Sequence, residues 1–242
     1  MSRLPRPLTR RHFLRATGTL GAGALLAASG CRPGGSGAPA EGNDVPIDTA
    51  RSPREALVPT ATYGRTGVKV PVLSLGTAFD TRTPEGQRIL ATAYQWGVTY
   101  WDSAYIYGKG TSETGIGQYF QANPAHREKV FLISKNMQRD PAEMDKVLDE
   151  SLRRVGSDYF DLYLLHDCRT IEKHFPDEAV AWIEKQKRAG KARHIGFSTH
   201  KNMAELLRYG AGLGVFDGVL VSYNFRLMHD AEMREAVGAC HD

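Results

Sequence analysis

The sequence reads as a parallel β/α barrel on three grounds. Short β-branched or aromatic runs alternate with stretches of helical spacing from Thr62 onward. The runs GVTYW, KVFLIS and FDLYLL end immediately before Asp102, Lys135 and His166, and Tyr107 follows five residues after Asp102. In a barrel of parallel strands, polar residues at the C-terminal strand ends face one mouth, where chemistry sits. Aspartate, tyrosine, lysine and histidine gathered there read as a proton-transfer group rather than a packing group.

The elements follow in order. Residues 63–70 read as a hairpin with glycine at the turn, and 72–76 as the first barrel strand. The spacing predicts a helix over 84–96 and a second strand over 98–101. Further strands are expected over 130–134, 159–165, 193–197 and 218–222, with helices over 112–121, 141–155, 177–189, 201–210 and 230–239. Pro141 suits a first helical turn, where a missing N–H costs nothing. Gly190 stands where a C-cap closes the helix before it. Six β/α units are thereby expected.

The N-terminus is not fold material. Arg10-Arg11 precedes a weakly hydrophobic run rich in glycine and alanine up to Gly30, the form of a twin-arginine export signal over 1–31. The run is too short and too small in side chains to span a membrane stably. Ala28-Ser29-Gly30-Cys31 is similar to a lipoprotein processing site, with Cys31 as the candidate lipidation residue and alanine where leucine is usual. The alternative is simple cleavage after Ala38-Pro39-Ala40. Residues 32–60, rich in Gly, Pro, Ser and Ala, read as a flexible linker, which leaves 61–242 as the barrel domain. The expected partners are the export machinery, a membrane through the lipid, and a small substrate. The expected location is periplasmic or membrane-anchored.

Charge and cysteine usage exclude other classes. The first 60 residues hold 8 Lys and Arg against 4 Asp and Glu, and the rest holds 23 of each, so the basic balance belongs to the export segment. A nucleic-acid surface needs a clustered basic face, which the domain does not offer. The three cysteines, Cys31, Cys168 and Cys240, form no CxxC pair. Cys168 and Cys240 read as small apolar residues rather than a disulfide. No metal site is expected: neighbours on an extended segment point to opposite sides, which argues against a cluster at His166-Asp167-Cys168.

The order of motifs resembles the aldo-keto reductase family across nearly all of 62–242. The residues that carry the resemblance are Gly64-Arg65-Thr66-Gly67, Leu75-Gly76-Thr77, Trp101-Asp102-Ser103-Ala104-Tyr105-Ile106-Tyr107-Gly108, Ser112-Glu113, Ser134-Lys135, Leu164-Leu165-His166, Gly196-Phe197-Ser198 and Tyr223-Asn224. The resemblance implies a TIM (β/α)8 barrel, a nicotinamide cofactor that is usually NADPH, with NADH as the alternative, and reduction of small aldehydes or ketones. It places the catalytic tetrad on Asp102, Tyr107, Lys135 and His166. Gly76, Thr77, Asp102, Ser198 and Tyr223 are the implied cofactor contacts.

Residue chemistry supports those roles. Hydride delivery to a carbonyl carbon builds negative charge on the oxygen, so an acid is needed beside it. A cation next to a phenol favours the phenolate and makes the phenol a better acid. Tyr107 fits the acid, Lys135 the cation and Asp102 the group that orients the lysine. His166, neutral and donating, fits the group that positions the substrate oxygen. Taken singly, Lys135 and Asp102 also read as a structural ion pair, His166 as a core histidine, and Tyr105 as a packed surface tyrosine.

Two features depart from the family pattern. Thr199 stands where asparagine is usual and Leu220 where glutamine is usual, which alters two contacts to the nicotinamide carboxamide. From Thr62 to Asp242 there are 181 residues, against about 250 for a complete barrel, so an incomplete barrel of six units is expected. Some twin-arginine members carry an iron–sulfur extension, which this sequence does not contain. The competing reading is an exported binding module, or a fragment without catalysis.

Overall fold

The computed structural model describes residues 58–241. The export leader, Cys31 and all but the last three residues of the expected linker lie outside the described residues. Strand β1 (Thr60–Thr62) pairs antiparallel with β2 (Lys69–Pro71). Their connection is a short 3-10 turn over Gly64–Thr66, completed by Gly67 at φ 75°, a left-handed position that glycine takes without steric cost. The Tyr63 amide donates to the Val68 carbonyl at 2.8 Å and closes the loop, so the hairpin spans 60–71: β1 precedes the 63–70 window that the sequence suggested and β2 begins near its end.

Six parallel strands then alternate with helices. They are β3 (Leu75–Gly76), β4 (Tyr100–Asp102), β5 (Phe131–Asn136), β6 (Phe160–Leu165), β7 (Ala192–Thr199) and β8 (Gly218–Val221), hydrogen-bonded in sequence order into one sheet. The intervening helices are α1 (Pro84–Gln95), α2 (Thr111–Ala122), α3 (Pro141–Val155), α4 (Ile171–His174), α5 (Asp177–Arg188) and α6 (Met203–Leu213), with α7 (Ala231–His241) after β8. The sheet curls into a partial TIM barrel with helices outside it.

Sequence chemistry sets the helix ends. Asp140 accepts from the Ala142 and Glu143 amides, Pro141 opens α3, and Gly156 closes it at φ 61°. Met144, Val147, Leu148, Ser151, Leu152 and Val155 make the buried stripe at helical spacing that binds α3 to the sheet. Gly190 takes φ 73° just after α5, as its C-cap position predicts.

Element bounds differ from expectation where local hydrogen bonds win. The first barrel strand, expected over 72–76, is only Leu75–Gly76. The Val72 amide bonds instead to Pro59, and Val72 and Leu73 are 64% and 56% exposed. The second strand begins at Tyr100 rather than at 98, because the Val98 amide donates back to Ala93 at the end of α1. Helix α4 was not foreseen: one turn has too few residues to show a period.

The core has two compartments, and strand alternation sorts residues between them. Val70, Phe131, Ile133, Leu162 and Leu164 fill the barrel interior together with Tyr63 and Tyr100. Trp101, Leu132, Tyr163, Leu165, Ile195 and Phe197 pack outward against the helices. Tyr63 of the hairpin lies 5.7 Å from the Phe131 ring at the strand N-termini. A Cβ on Gly218 would collide with the Tyr63 hydroxyl. The hairpin thus plugs the N-terminal end and leaves the chemistry to the other.

Candidate active site at the barrel mouth

Register brings the polar residues together. Tyr100 faces inward, so Asp102 does too, and Gly76 lies level with it on β3. Phe131 and Ile133 face inward, which puts Lys135 on the same side two residues further on. Leu162 and Leu164 do likewise for His166, whose amide continues the pairing to the Asn136 carbonyl at 2.8 Å. Ile195 and Phe197 face outward, so Ser198 faces in, paired across the sheet with Leu220.

Lys135 is the hub. Its side chain is 1% exposed, and Nζ lies 2.7 Å from Asp102 Oδ1. Nζ donates to the Ser103 carbonyl at 2.8 Å and to the Tyr107 hydroxyl at 3.3 Å. The Asp102 contact is an ion pair without the alignment of a hydrogen bond, since Oδ1 is buried and accepts none. Burial pushes the Asp102 carboxyl above the usual carboxylate range, and Lys135 opposes that rise. An ammonium has three protons and no acceptor. Two of them are donated, to Ser103 and Tyr107, and the charge itself is paired with Asp102.

Tyr107 arrives by the loop after β4, which runs alongside β5. The Ser103 amide donates to Ile133 O and the Tyr105 amide to Lys135 O, each at 2.9 Å, so the chain turns back over the lysine. The ammonium also lies 4.7 Å from the centre of the Tyr107 ring. The Tyr107 and His166 rings meet edge to face, 6.0 Å apart at 82°. Burial, then the Lys135 charge, lowers the His166 pKa from 6.5 to about 4, so the imidazole is neutral at pH 7. His166 Nδ1 is buried without a hydrogen-bond partner. An orphaned lone pair costs less than an orphaned N–H, so the proton belongs on Nε2.

The residues expected to face a cofactor behave differently from one another. Gly76 is exposed, and a Cβ there would meet nothing within 4 Å. Thr77 turns away from the mouth: its hydroxyl donates to Asp102 O at 2.8 Å and lies 2.7 Å from Ser112 Oγ, which lies 2.7 Å from Ser103 Oγ. Each hydroxyl has one proton, so the direction is fixed as Ser103 to Ser112 to Thr77 to the Asp102 carbonyl. Ser198 is 2% exposed. It caps no helix. Its Oγ accepts from the Asp167 amide at 3.1 Å, which leaves its proton to donate. Tyr223, on the loop after β8, is 39% exposed.

Thr199 spends its hydroxyl on the Lys201 backbone, donating to its carbonyl at 2.6 Å. Leu220 presents only carbon beside Ser198. Cys168 and Cys240 are both free thiols, and burial pushes the Cys168 thiol up to about 11, which makes it unreactive. Tyr105 is not a mere packed surface residue: its hydroxyl donates to Glu150 at 2.9 Å. Its backbone and that of Ser103, together with Ser112 and Arg154, support the site. Ser103, Tyr105 and Ser112 stood in the motifs quoted above; Arg154 did not, and it comes from a helix 49 residues after the tyrosine whose carbonyl it holds.

Comparison with known proteins follows the same lines. The model of the Aldo/keto reductase family matches residues 73–242. The chain is 31% identical over 150 residues, 57% of its length, to an aldo-keto reductase of Schizosaccharomyces pombe named YakC [NADP(+)], of which 43% is covered. It is 35% identical over 127 residues, 51% of its length, to the methylglyoxal reductase YeaE of Escherichia coli, again with 43% covered. The chain thus spans less than half the length of these curated relatives. A crystal structure of an aldo-keto reductase from Klebsiella pneumoniae in complex with NADPH superposes with a TM-score of 0.62 at 26% identity, over 76% of this chain and 65% of that one. With Asp102, Lys135 and His166 at three successive strand ends and a family match over most of its sequence, the chain belongs to the aldo/keto reductase family.

Proposed function

We propose that this chain reduces an aldehyde or ketone to an alcohol, with NADPH as the reductant and Tyr107 as the general acid. The single observation that carries the reading is the hydrogen bond from the Lys135 ammonium to Tyr107. The ammonium donates to the Tyr107 oxygen, so the phenol proton points away from it and toward the mouth. That proton is the one a nascent alkoxide needs.

The mouth residues fit the nicotinamide end of such a cofactor. Gly76 lets a planar ring approach the backbone, Ser198 retains a proton for a carboxamide oxygen, and Tyr223 offers an aromatic face. When bound, NADPH supplies the hydride. The chain's own part is to hold the carbonyl oxygen between the Tyr107 hydroxyl and His166 Nε2, and to move the phenol proton onto it. Asp102 keeps Lys135 charged and aimed, and the lysine then stabilises the phenolate left behind.

A second reading, a barrel that binds a ligand without turnover, is favoured by Leu220 and by the self-satisfied Thr199, which supply no carboxamide contact. Titration of NADPH fluorescence, followed by a panel of carbonyl compounds, decides between them. Saturable binding with carbonyl-dependent oxidation supports the reductase; a folded protein that binds neither overturns it.

We also propose export by the twin-arginine route with Cys31 lipidated. Replacing Arg10 and Arg11 with lysine stops export, and Cys31→Ser abolishes lipid labelling; export and labelling unchanged in these variants contradict the proposal.

A further inference from the structure

The turn that carries Tyr107 has an unusual backbone. Gly108, Lys109 and Gly110 take φ values of 56°, 55° and 93° in succession. A lysine at positive φ holds that conformation only where its surroundings impose it. Two hydrogen bonds lie within the turn itself, from the Tyr107 amide to Ala104 O at 2.9 Å and from Lys109 to Ile106 O at 3.0 Å. Neither ties the turn to the body of the barrel.

Arg154 of α3 does. Its Nη1 donates to the Tyr105 carbonyl at 3.2 Å and to Glu113 Oε2 at 3.1 Å, and its Nη2 to Glu150 Oε1 at 2.6 Å. The guanidinium lies 4.4 Å from the centre of the Tyr105 ring, whose hydroxyl donates to the other Glu150 oxygen. Glu113 is fully buried at the start of α2, and Ser134 of β5 donates to its second oxygen at 2.6 Å. Gly110 rests directly on the guanidinium: a Cβ there would come within 2.6 Å of the Arg154 side chain. One planar cation thus touches both flanks of the tyrosine turn, residue 105 before Tyr107 and residue 110 after it. Through Glu113 and Ser134 it refers that turn to β5, the strand that carries Lys135.

We propose that Arg154, seated on Glu113, is a positioning residue that sets the Tyr107 hydroxyl against Lys135 by clamping its turn at both ends. The proposal rests on the reductase reading for its kinetic consequence only. Arg154 does not reach the mouth, and lysine in its place keeps the charge but loses the planar fork that reaches Tyr105, Glu113 and Glu150 together.

The test compares the full chain with Arg154→Lys, Tyr105→Phe, the charge-free double variant Glu113→Gln/Arg154→Met, and Arg153→Lys as a control on an exposed neighbour. Two readouts are taken: amide hydrogen exchange at Tyr107 and Lys109, and kcat and KM for carbonyl reduction. Arg154→Lys is expected to speed exchange at both amides at least tenfold while strand β5 stays protected. It is expected to lower kcat by on the order of ten- to a hundredfold with little change in the KM for NADPH, the signature of a misplaced acid. If Arg154→Lys does not fold, the double variant, which leaves no buried charge unpaired, gives the same readouts. Unchanged exchange in the turn, or loss of protection spread evenly over the barrel, overturns the clamp. Wild-type protein without carbonyl-dependent turnover would sink the reductase reading, and the exchange data would still decide the clamp.

Discussion

Lys135 Nζ stands 3.3 Å from the Tyr107 hydroxyl oxygen and donates to it, while it also donates to Ser103 O and pairs its charge with Asp102. Donation from the lysine leaves the tyrosine proton free. The proposed acid role rests on that free proton.

The ion pair beneath it is buried on the lysine side, so removing one partner strands the other. Lys135→Met is expected to destabilise the fold by about 3 kcal/mol, measured by denaturant unfolding. Adding Asp102→Asn should restore part of the loss. A double variant no more stable than the single one would show that the two groups are not energetically coupled.

Acid dependence follows from His166. Its folded pKa of about 4 lies below the ordinary 6.5, so between those values the unfolded chain binds a proton that the folded one does not. Its contribution is complete above pH 6.5 and is lost as pH falls toward 4. Unfolding midpoints measured across that window should fall with acid, and His166→Gln should flatten the slope. An identical slope in the variant would assign it to other groups.

The three-hydroxyl chain under the site makes a local prediction. Ser112→Ala leaves the Ser103 proton without an acceptor and the Thr77 oxygen without a donor, both buried. We expect a loss of about 2 kcal/mol by denaturant unfolding. Ser103→Ala, which removes only the first donor, should cost less. Equal costs would contradict the proton order assigned to the chain.

Leu220 lies beside Ser198 on the inward face of β8 and supplies no polar atom there. Leu220→Gln is expected to tighten NADPH binding about fivefold, read by fluorescence titration. Unchanged affinity would show that the cofactor does not reach this position.

Much of this was legible in the sequence because strand alternation is rigid. Once the runs before Asp102, Lys135 and His166 are read as strands, parity decides which residues face the barrel interior, and the three fall on one side. Short local elements were less legible. Leu75–Gly76 is a two-residue strand set by its partner Trp101-Asp102 rather than by its own pattern, and α4 is a single turn. Arg154 was hidden for another reason: its contacts to Tyr105, Glu113 and Gly110 are made across the fold, and in sequence it is one of two adjacent arginines on an amphipathic helix. Nothing in the period tells that Arg153 is 75% exposed and Arg154 15%.

Proton delivery by Tyr107 is decided by Tyr107→Phe in the full chain. NADPH affinity and carbonyl-dependent NADPH oxidation are measured side by side with wild type. Binding is expected to be unchanged and the rate lower by about a hundredfold or more. Oxidation at the wild-type rate in the variant would contradict that role of Tyr107.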